Sequence, residues 1–325
     1  MRPPAHWHLK RRRDRRLWWT LGAVAALVLI VIVALRVLPS AGGDADANPA
    51  AVDSAGCAVP LACPPVTGSP SFGAEALPGS IVGQASAIIE APCGTLLYGS
   101  NEHARLPPAS LAKIATALVA YERSDLDTVV DVRVNSGLLV ASTGSTVMGL
   151  RPGVRMTMRD LMHGLLLVSG NDAAIAIAEA VGGRTSQFVA LMNEKAVALG
   201  LRNTRFANPH GLDEAGLYTS AYDVALLGQA LLAVPELASI VQKKSYQAAW
   251  DGPLLWNGNA LLNLYPETLG VKIGYTERAG QTIVAAAERD GRRIIVSVLG
   301  SQDRYTDAIA LFEWAFANTE PACAR

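Results

Sequence analysis

The segment "QASAIIEA" (84–91) is almost continuously apolar over one strand length, and after the turn "PCG" the stretch "TLLYG" (95–99) is a second short apolar run. Both read as strands, and "TVVDVRVN" (128–135), which alternates apolar and polar positions, reads as another. Helical periodicity then takes over. Thr157 and Asp160 stand at capping-box-like spacing at the head of "MTMRDLMHGLLLV", and "NDAAIAIAEAV" continues after Ser169-Gly170. "TSQFVALMNEKAVAL" and "TSAYDVALLGQALLA" come next, the second with Ser220 and Asp223 at the same capping spacing. Near the end, "QTIVAAAE" and "RRIIVSVLG" are apolar strands joined by Arg289-Asp-Gly291, a hairpin signature, and "RYTDAIALFEWAFA" is a last helix. Strands at both ends with helices between them predict one antiparallel sheet assembled from the two extremities, with a helical lobe inserted. No fixed-period repeat is visible.

Ahead of this body the pattern is different. "KRRRDRR" (10–16) precedes a charge-free run from 17 to 35, long enough at about 1.5 Å per residue to cross a hydrocarbon core of about 30 Å. Basic residues stay on the cytoplasmic side, so residues 1–16 are expected inside as a basic tail, 17–38 in the membrane, and the rest outside. Trp18 and Trp19 suit the interfacial belt. A cleaved signal peptide ending near Pro39-Ser40-Ala41, giving a secreted protein, is the alternative; the apolar run is longer than a usual signal core, which favours the anchor. Residues 39–80, rich in Ala, Gly, Pro, Ser and Asp, read as a tether reaching on the order of 35–40 Å, and 81–325 as the folded domain.

Composition sharpens the picture at two points. Half of the 325 residues are hydrophobic, enough for a sizeable core. Formal charge is zero, with 28 basic and 28 acidic residues, but residues 1–36 hold 8 of the basic and 1 of the acidic ones. The remainder is therefore net negative, which argues against a nucleic-acid partner. The four cysteines, Cys57, Cys63, Cys93 and Cys323, all lie beyond the expected span, where an oxidising compartment allows disulfides in any of three pairings. Cys57 with Cys63 would close a loop in the tether, and Cys93 with Cys323 would join the domain's two ends. No CxxC pair or suitably spaced His points to a metal.

The chemistry begins at "PPASLAKIATALVA" (107–120), where Ser110 and Lys113 stand three apart at a helix start. Such positions share a face, and a serine hydroxyl needs a base within hydrogen-bond reach to become a nucleophile. Ser is also an ordinary N-cap, so this spacing alone decides nothing. Two further stretches do. "LLLVSGNDAA" presents Ser169, Gly170 and Asn171 between helical segments, and "GVKIGYTERAG" presents Lys272, Ile273 and Gly274 in a strand before the terminal hairpin. SxxK, SxN and KxG in this order form the motif set of penicillin-binding proteins and β-lactamases.

With these motifs, and with "FANPHGLDEAGLYTSAYDVALL" and "GYTERAGQTIVAAA" in the same order, the chain over about residues 81–319 resembles the D-alanyl-D-alanine carboxypeptidases, the low-molecular-mass penicillin-binding proteins of the S11 serine peptidase class. The resemblance implies an α+β, serine β-lactamase/transpeptidase-like fold, with a five-stranded antiparallel sheet flanked by helices and a mainly helical lobe. It implies that Ser110 is the nucleophile and Lys113 its general base, that Ser169 relays a proton to the leaving amine, that Asn171 holds the substrate amide, and that Lys272 supplies positive potential. Gly274 would let substrate backbone lie against the strand, and the N–H groups of Ser110 and Tyr275 would form the oxyanion hole. The implied substrates are peptidoglycan peptides ending in D-Ala-D-Ala, with β-lactams as covalent inhibitors and no metal or cofactor.

The resemblance departs at Ile273, where the family has a threonine that binds the substrate's terminal carboxylate. Losing one charge-assisted hydrogen bond costs about 1.5–3 kcal/mol, and Thr276 or Arg278 is left to supply the contact. No Glu-x-x-Leu-Asn segment lies between the second and third motifs, so a long-lived penicilloyl adduct is expected rather than β-lactamase turnover. Relatives often carry a C-terminal anchoring domain; here the N-terminal segment is expected to anchor. A DD-endopeptidase and a weakly active cell-wall-binding homologue are the other readings. His210 reads as part of a turn rather than of a triad with Asp213 or Asp223; Asp172 reads as a cap of the next helix; and His103 and His163 have no identifiable partner.

Overall fold

In the computed structural model, which describes residues 81–323, the strands β1 (Ala85–Ala91), β2 (Thr95–Ser100), β3 (Thr268–Thr276), β4 (Gly280–Arg289) and β5 (Arg292–Ser301) form one antiparallel sheet. Its order is β2-β1-β5-β4-β3, so the first strands pair with the last and β3 is an edge. Both faces are covered, which is why β4 and β5 read as unbroken apolar runs. Val284, Ala286, Ile295 and Leu299 face the helical lobe, while Ile283, Ala285, Ala287, Ile294 and Val296 face the other side. Asp290 (φ 53°) and Gly291 (φ 77°) both take the positive φ of a tight hairpin turn.

Four helices build the lobe or cover the sheet: α1 (Ala112–Arg123), α2 (Asn171–Gly182), α3 (Ala221–Leu232) and α4 (Arg304–Asn318). The first three belong to the lobe, whose core is continuous with one face of the sheet. Helix α3 starts as expected, with Ser220 accepting from the Asp223 N–H at 3.2 Å, and the Ser297 hydroxyl of β5 donates to Ala221 O at 2.6 Å. Helix α4 lies on the opposite face, burying Ala308, Leu311, Phe312 and Ala315.

Two elements differ from the sequence expectation. Of 128–135 only Val129–Asp131 is a strand, and it pairs with Arg155–Thr157 in a small ribbon of the lobe, not with the main sheet. The helix expected after Thr157 begins there, with Thr157 accepting from the Asp160 N–H at 3.1 Å, but after Met158–His163 it widens into a π-helical stretch, Gly164–Val168. Such widening is common beside functional sites, and this one ends at Ser169.

Cys93 is disulfide-bonded to Cys323, across 230 positions. Beside it, the Arg292 guanidinium meets the buried Glu90 carboxylate at 2.7 Å and also donates to Thr319 O at 2.6 Å. Cross-linking so long a loop restricts the unfolded chain, so Cys323→Ser is expected to cost about 2–4 kcal/mol, read as a lowered midpoint in urea unfolding. The other two cysteines, the expected membrane segment and the tether lie outside the described residues.

Candidate active site

Ser110 sits in a 3₁₀ turn, Ala109–Leu111, that leads into α1, and its side chain caps neither element. Its hydroxyl oxygen lies 2.8 Å from Lys113 Nζ instead. Lys113 is wholly buried, and Nζ has two further partners, Asn171 Oδ1 and the His210 carbonyl, each at 2.7 Å. Both of these only accept hydrogen bonds, whereas the Ser110 hydroxyl also donates. A neutral amine has two N–H groups and one lone pair. With the N–H groups taken by the two carbonyl oxygens, the lone pair faces the Ser110 proton. Burial lowers the Lys113 pKa well below the ordinary lysine value, and Lys272 lowers it further against the opposing pull of Asp172.

Asp172 does not cap α2, which has Gly170 at its N-cap. Its carboxylate accepts from the N–H groups of Met148, Gly149 and Leu150 at 2.9, 3.0 and 3.0 Å and from the Ser136 hydroxyl at 2.6 Å, tying residues 148–150 to the start of the helix. Asn171, next to it, is oriented from both ends: Oδ1 faces Lys113, and Nδ2 donates to Ser145 Oγ at 2.8 Å. The residue expected to hold a substrate amide thus also fixes the base.

The nucleophile turn is held between two glycines. Gly211 has φ +89°, and a Cβ there would fall 1.8 Å from Ala109 O. At Gly274 a Cβ would fall 2.8 Å from Ser110 N and 2.6 Å from Thr282 Oγ1. The Ser110 turn itself thus packs against Gly274, which also lines the cleft. The segment "ANPHGL" folds around Asn208, whose side chain accepts from Gly211 N at 2.7 Å and donates to Leu212 O at 2.9 Å. Thr116 Oγ1 anchors the same loop by donating to Pro209 O at 2.6 Å. His210 therefore acts through its carbonyl. Its ring accepts from Leu212 N through Nδ1 and is held neutral, its pKa lowered to about 3 by burial and by Lys113. Asp223 binds Asn203 N and Thr204 instead, and Asp213 accepts from Thr276 Oγ1 at 3.0 Å, so neither pairs with the ring. His163 and His103 do have neighbours: His163 stacks on Tyr246 at 3.5 Å, and His103 lies edge-on to Tyr222.

A cleft of about 300 Å³ is lined by Ser110, Ser145, Ser169, Asn171, Ile273, Gly274, Tyr275, Thr276 and Arg304, among others. The three motifs therefore converge. Ser169 holds a left-handed backbone conformation (φ 66°, ψ 34°), and its buried hydroxyl has no partner among the described residues. An orphaned hydroxyl on a strained residue is free to serve a substrate. Lys272 is buried beneath the cleft, its Nζ donating to Ile273 O at 3.0 Å; burial, then Arg304, lowers its pKa to about 7. Thr276 is engaged by Asp213 and by the Ala279 N–H. Arg278 is exposed and not among the lining residues. The cation in the cleft is Arg304, at the first turn of α4. Its Nη1 donates to Gly274 O at 2.6 Å and its Nε to Gln281 Oε1 at 2.9 Å, and no carboxylate among the described residues pairs with it. Nothing in "SQDRYTDA" marks it, because its place depends on the start of α4 lying within a side chain's reach of Gly274 O on β3. Among the described residues no His, Cys, Asp and Glu side chains gather in a metal-binding group.

Comparison with known proteins agrees with this geometry. The D-alanyl-D-alanine carboxypeptidase family model matches residues 72–303. DacF of Bacillus subtilis is 35% identical over 244 residues, covering 73% of this chain and 63% of the relative, so the chain spans somewhat under two thirds of that protein. DacB2 of Mycobacterium tuberculosis is 37% identical over 234 residues, covering 69% of this chain and 79% of the relative. Among solved structures, a D-alanyl-D-alanine carboxypeptidase from Mycobacterium tuberculosis superposes with TM-score 0.70 at 34% identity, over 77% of this chain and 96% of that one. A mutant form of the Streptomyces K15 DD-transpeptidase gives 0.70 at 29% identity, over 74% and 100%.

Proposed function

Since the chain belongs to the D-alanyl-D-alanine carboxypeptidase family of S11 serine peptidases, we propose that it is a serine DD-carboxypeptidase that removes the terminal D-Ala of peptidoglycan stem peptides through an acyl-enzyme on Ser110. The observation that carries this reading is the buried Lys113 amine, 2.8 Å from the Ser110 hydroxyl oxygen and held by two carbonyl acceptors, Asn171 Oδ1 and His210 O. Lys113 takes the Ser110 proton as Oγ attacks the D-Ala carbonyl carbon. The oxyanion so formed is met by the N–H groups of Ser110 and Tyr275, which line the same cleft. As the C–N bond breaks, the proton passes from Lys113 by way of Ser169 to the leaving amine, and D-Ala departs. Water then attacks the ester, giving its proton to Lys113 and returning Ser110. Lys272 disfavours a charged Lys113 and adds positive potential, and Arg304 is the cation available to the terminal carboxylate where Ile273 offers none.

The reading places the domain outside the cytoplasm on an N-terminal anchor, and the Cys93–Cys323 disulfide supports that side of the membrane. A purely binding homologue is disfavoured, because the nucleophile and its base are intact and in contact. Two measurements test the function. Intact mass after penicillin treatment is expected to show one adduct, mapping to Ser110, and a D-Ala-D-Ala pentapeptide is expected to release D-Ala. A folded protein that does neither contradicts the proposal.

A further inference from the structure

The helix Ser136–Thr143, "SGLLVAST", stands in solvent although its sequence is mostly apolar. Ser136 is its one buried residue. Leu138 is 69% exposed and Val140 42% exposed, and the two point to nearly opposite sides of the helix, with Ala141 exposed as well. The hydroxyls at its end turn back on the backbone: Ser142 Oγ and Thr143 Oγ1 both donate to Leu139 O, at 3.2 and 2.7 Å. A helix that is apolar on every side is normally covered. This one is also held rigidly in its exposed place. Ser136 N donates to Leu150 O at 3.1 Å, the Asn135 side chain accepts from Leu138 N at 3.1 Å, and Gly144 N donates to Val140 O at 2.8 Å.

Charge and position say what covers it. Residues 132–154 contain no Asp or Glu, but they contain Arg133, three residues before the helix, and Arg151, next to the Leu150 carbonyl that anchors Ser136. Both arginines are exposed, and neither is ion-paired among the described residues. The chain beyond residue 36 is net negative, so this stretch runs against the charge of the body. Exposed apolar side chains beside unpaired cations suit an anionic lipid surface. Gly144, Ser145 and Thr146, directly after the helix, line the catalytic cleft. The chain enters the domain near that cleft too: Val82 N donates to Asp307 Oδ1 at 3.0 Å, one turn along α4 from Arg304, which is another lining residue. With the expected anchor and tether ahead of that point, a contact too weak to form in free solution is made at millimolar effective concentration.

Resting on the anchored reading above, we propose that Ser136–Thr143, with Arg133 and Arg151, is a membrane-contact element that seats on the anionic phospholipid surface and holds the cleft beside it. Leu138, Val140 and Ala141 enter the boundary between headgroups and acyl chains, and the two guanidinium groups meet lipid phosphates. The domain is then held against the membrane, not left at the full reach of its tether. A second copy of the chain fits this face less well, since a two-fold contact would bring four unpaired arginines together.

The test uses the full chain reconstituted into vesicles of equal parts phosphatidylglycerol and phosphatidylcholine, with Leu138→p-benzoylphenylalanine as a photo-crosslinker. Val197→p-benzoylphenylalanine is the control, because that valine is 80% exposed but lies on another helix, Thr185–Ala198. Position 138 is expected to form lipid adducts at least about five times as often as position 197, and adding Arg133→Glu with Arg151→Glu is expected to lower that yield about tenfold. An unchanged thermal melt shows that the charge-reversed variant is folded. Equal adduct yields at the two positions, a yield that charge reversal does not move, or a protein dimer as the product at position 138 overturns this inference alone. A chain that an alkaline wash strips from the vesicles would instead overturn the anchored reading on which it rests.

Discussion

Replacement of Lys113 by alanine is expected to slow acylation of Ser110 by penicillin about 10²- to 10⁴-fold while the protein stays folded. A positioned base contributes about 10²–10⁴ in rate, and no other titratable side chain among the described residues touches the Ser110 hydroxyl. The variant loses a buried amine but keeps the frame, since Asn171 is still held through Ser145 and the His210 loop through Asn208 and Thr116. Two acceptors, Asn171 Oδ1 and His210 O, lose their donor, which costs about 1–3 kcal/mol for each that water does not reach; relief from desolvating the amine offsets part of this. Lys113→Arg is expected to be as inactive as the alanine variant, because a guanidinium keeps its proton. The pH dependence has a definite sign. The neutral amine is the active form, so the acylation rate falls as pH drops through the lowered pKa of Lys113. Folding follows the same direction. Between that pKa and the ordinary lysine value the unfolded chain binds more protons than the folded one, so stability rises with pH across the window, and the rise is smaller in Lys113→Ala, where Lys272, lowered to about 7, still contributes. Stopped-flow acylation and urea unfolding over a pH series check both statements.

Gly211→Ala is expected to be the most damaging single-atom change outside the motifs, costing about 3 kcal/mol or more and most of the acylation rate. Two effects add. A φ of +89° is strained for any residue with a Cβ, at about 1 kcal/mol or more. The new carbon would also fall 1.8 Å from Ala109 O, and that atom belongs to backbone which cannot swing away as a side chain does. Either the Ala109–Ser110 turn or the His210 loop must move, and both hold the Ser110–Lys113 contact. Urea unfolding and penicillin labelling rates check the two parts. A variant that labels and unfolds like the unmodified protein would show that the turn is not pinned between Gly211 and Gly274.

What the sequence made legible divides by range. All five strands of the main sheet, helices α1 to α4 and both capping pairs follow from periodicity and local turn chemistry, because each depends on residues within a few positions, whereas the lobe helices Ser136–Thr143 and Pro235–Gln242 were not read. The segment 128–135 misled because alternation signals a strand without saying which sheet it joins. The S-x-x-K pair was legible because α1 brings its members together. The partners that make Lys113 a base were not, since Asn171 is 58 positions away and the His210 carbonyl 97, and a carbonyl leaves no mark in a motif. Arg304 was missed for a similar reason. Gly274 was legible as a position that needs no side chain, but only the packed turn shows that its missing side chain also makes room for Ser110.

The central claim is that Lys113 carries a lone pair, not a third proton, when it meets the Ser110 hydroxyl. The direct measurement is the pH titration of its side chain by ¹³C NMR of lysine-labelled protein, with the signal assigned by its disappearance in Lys113→Arg. The account predicts a resonance that deprotonates far below the exposed lysines and coincides with the acid limb of acylation. An amine that stays protonated throughout the pH range in which Ser110 is acylated would contradict it.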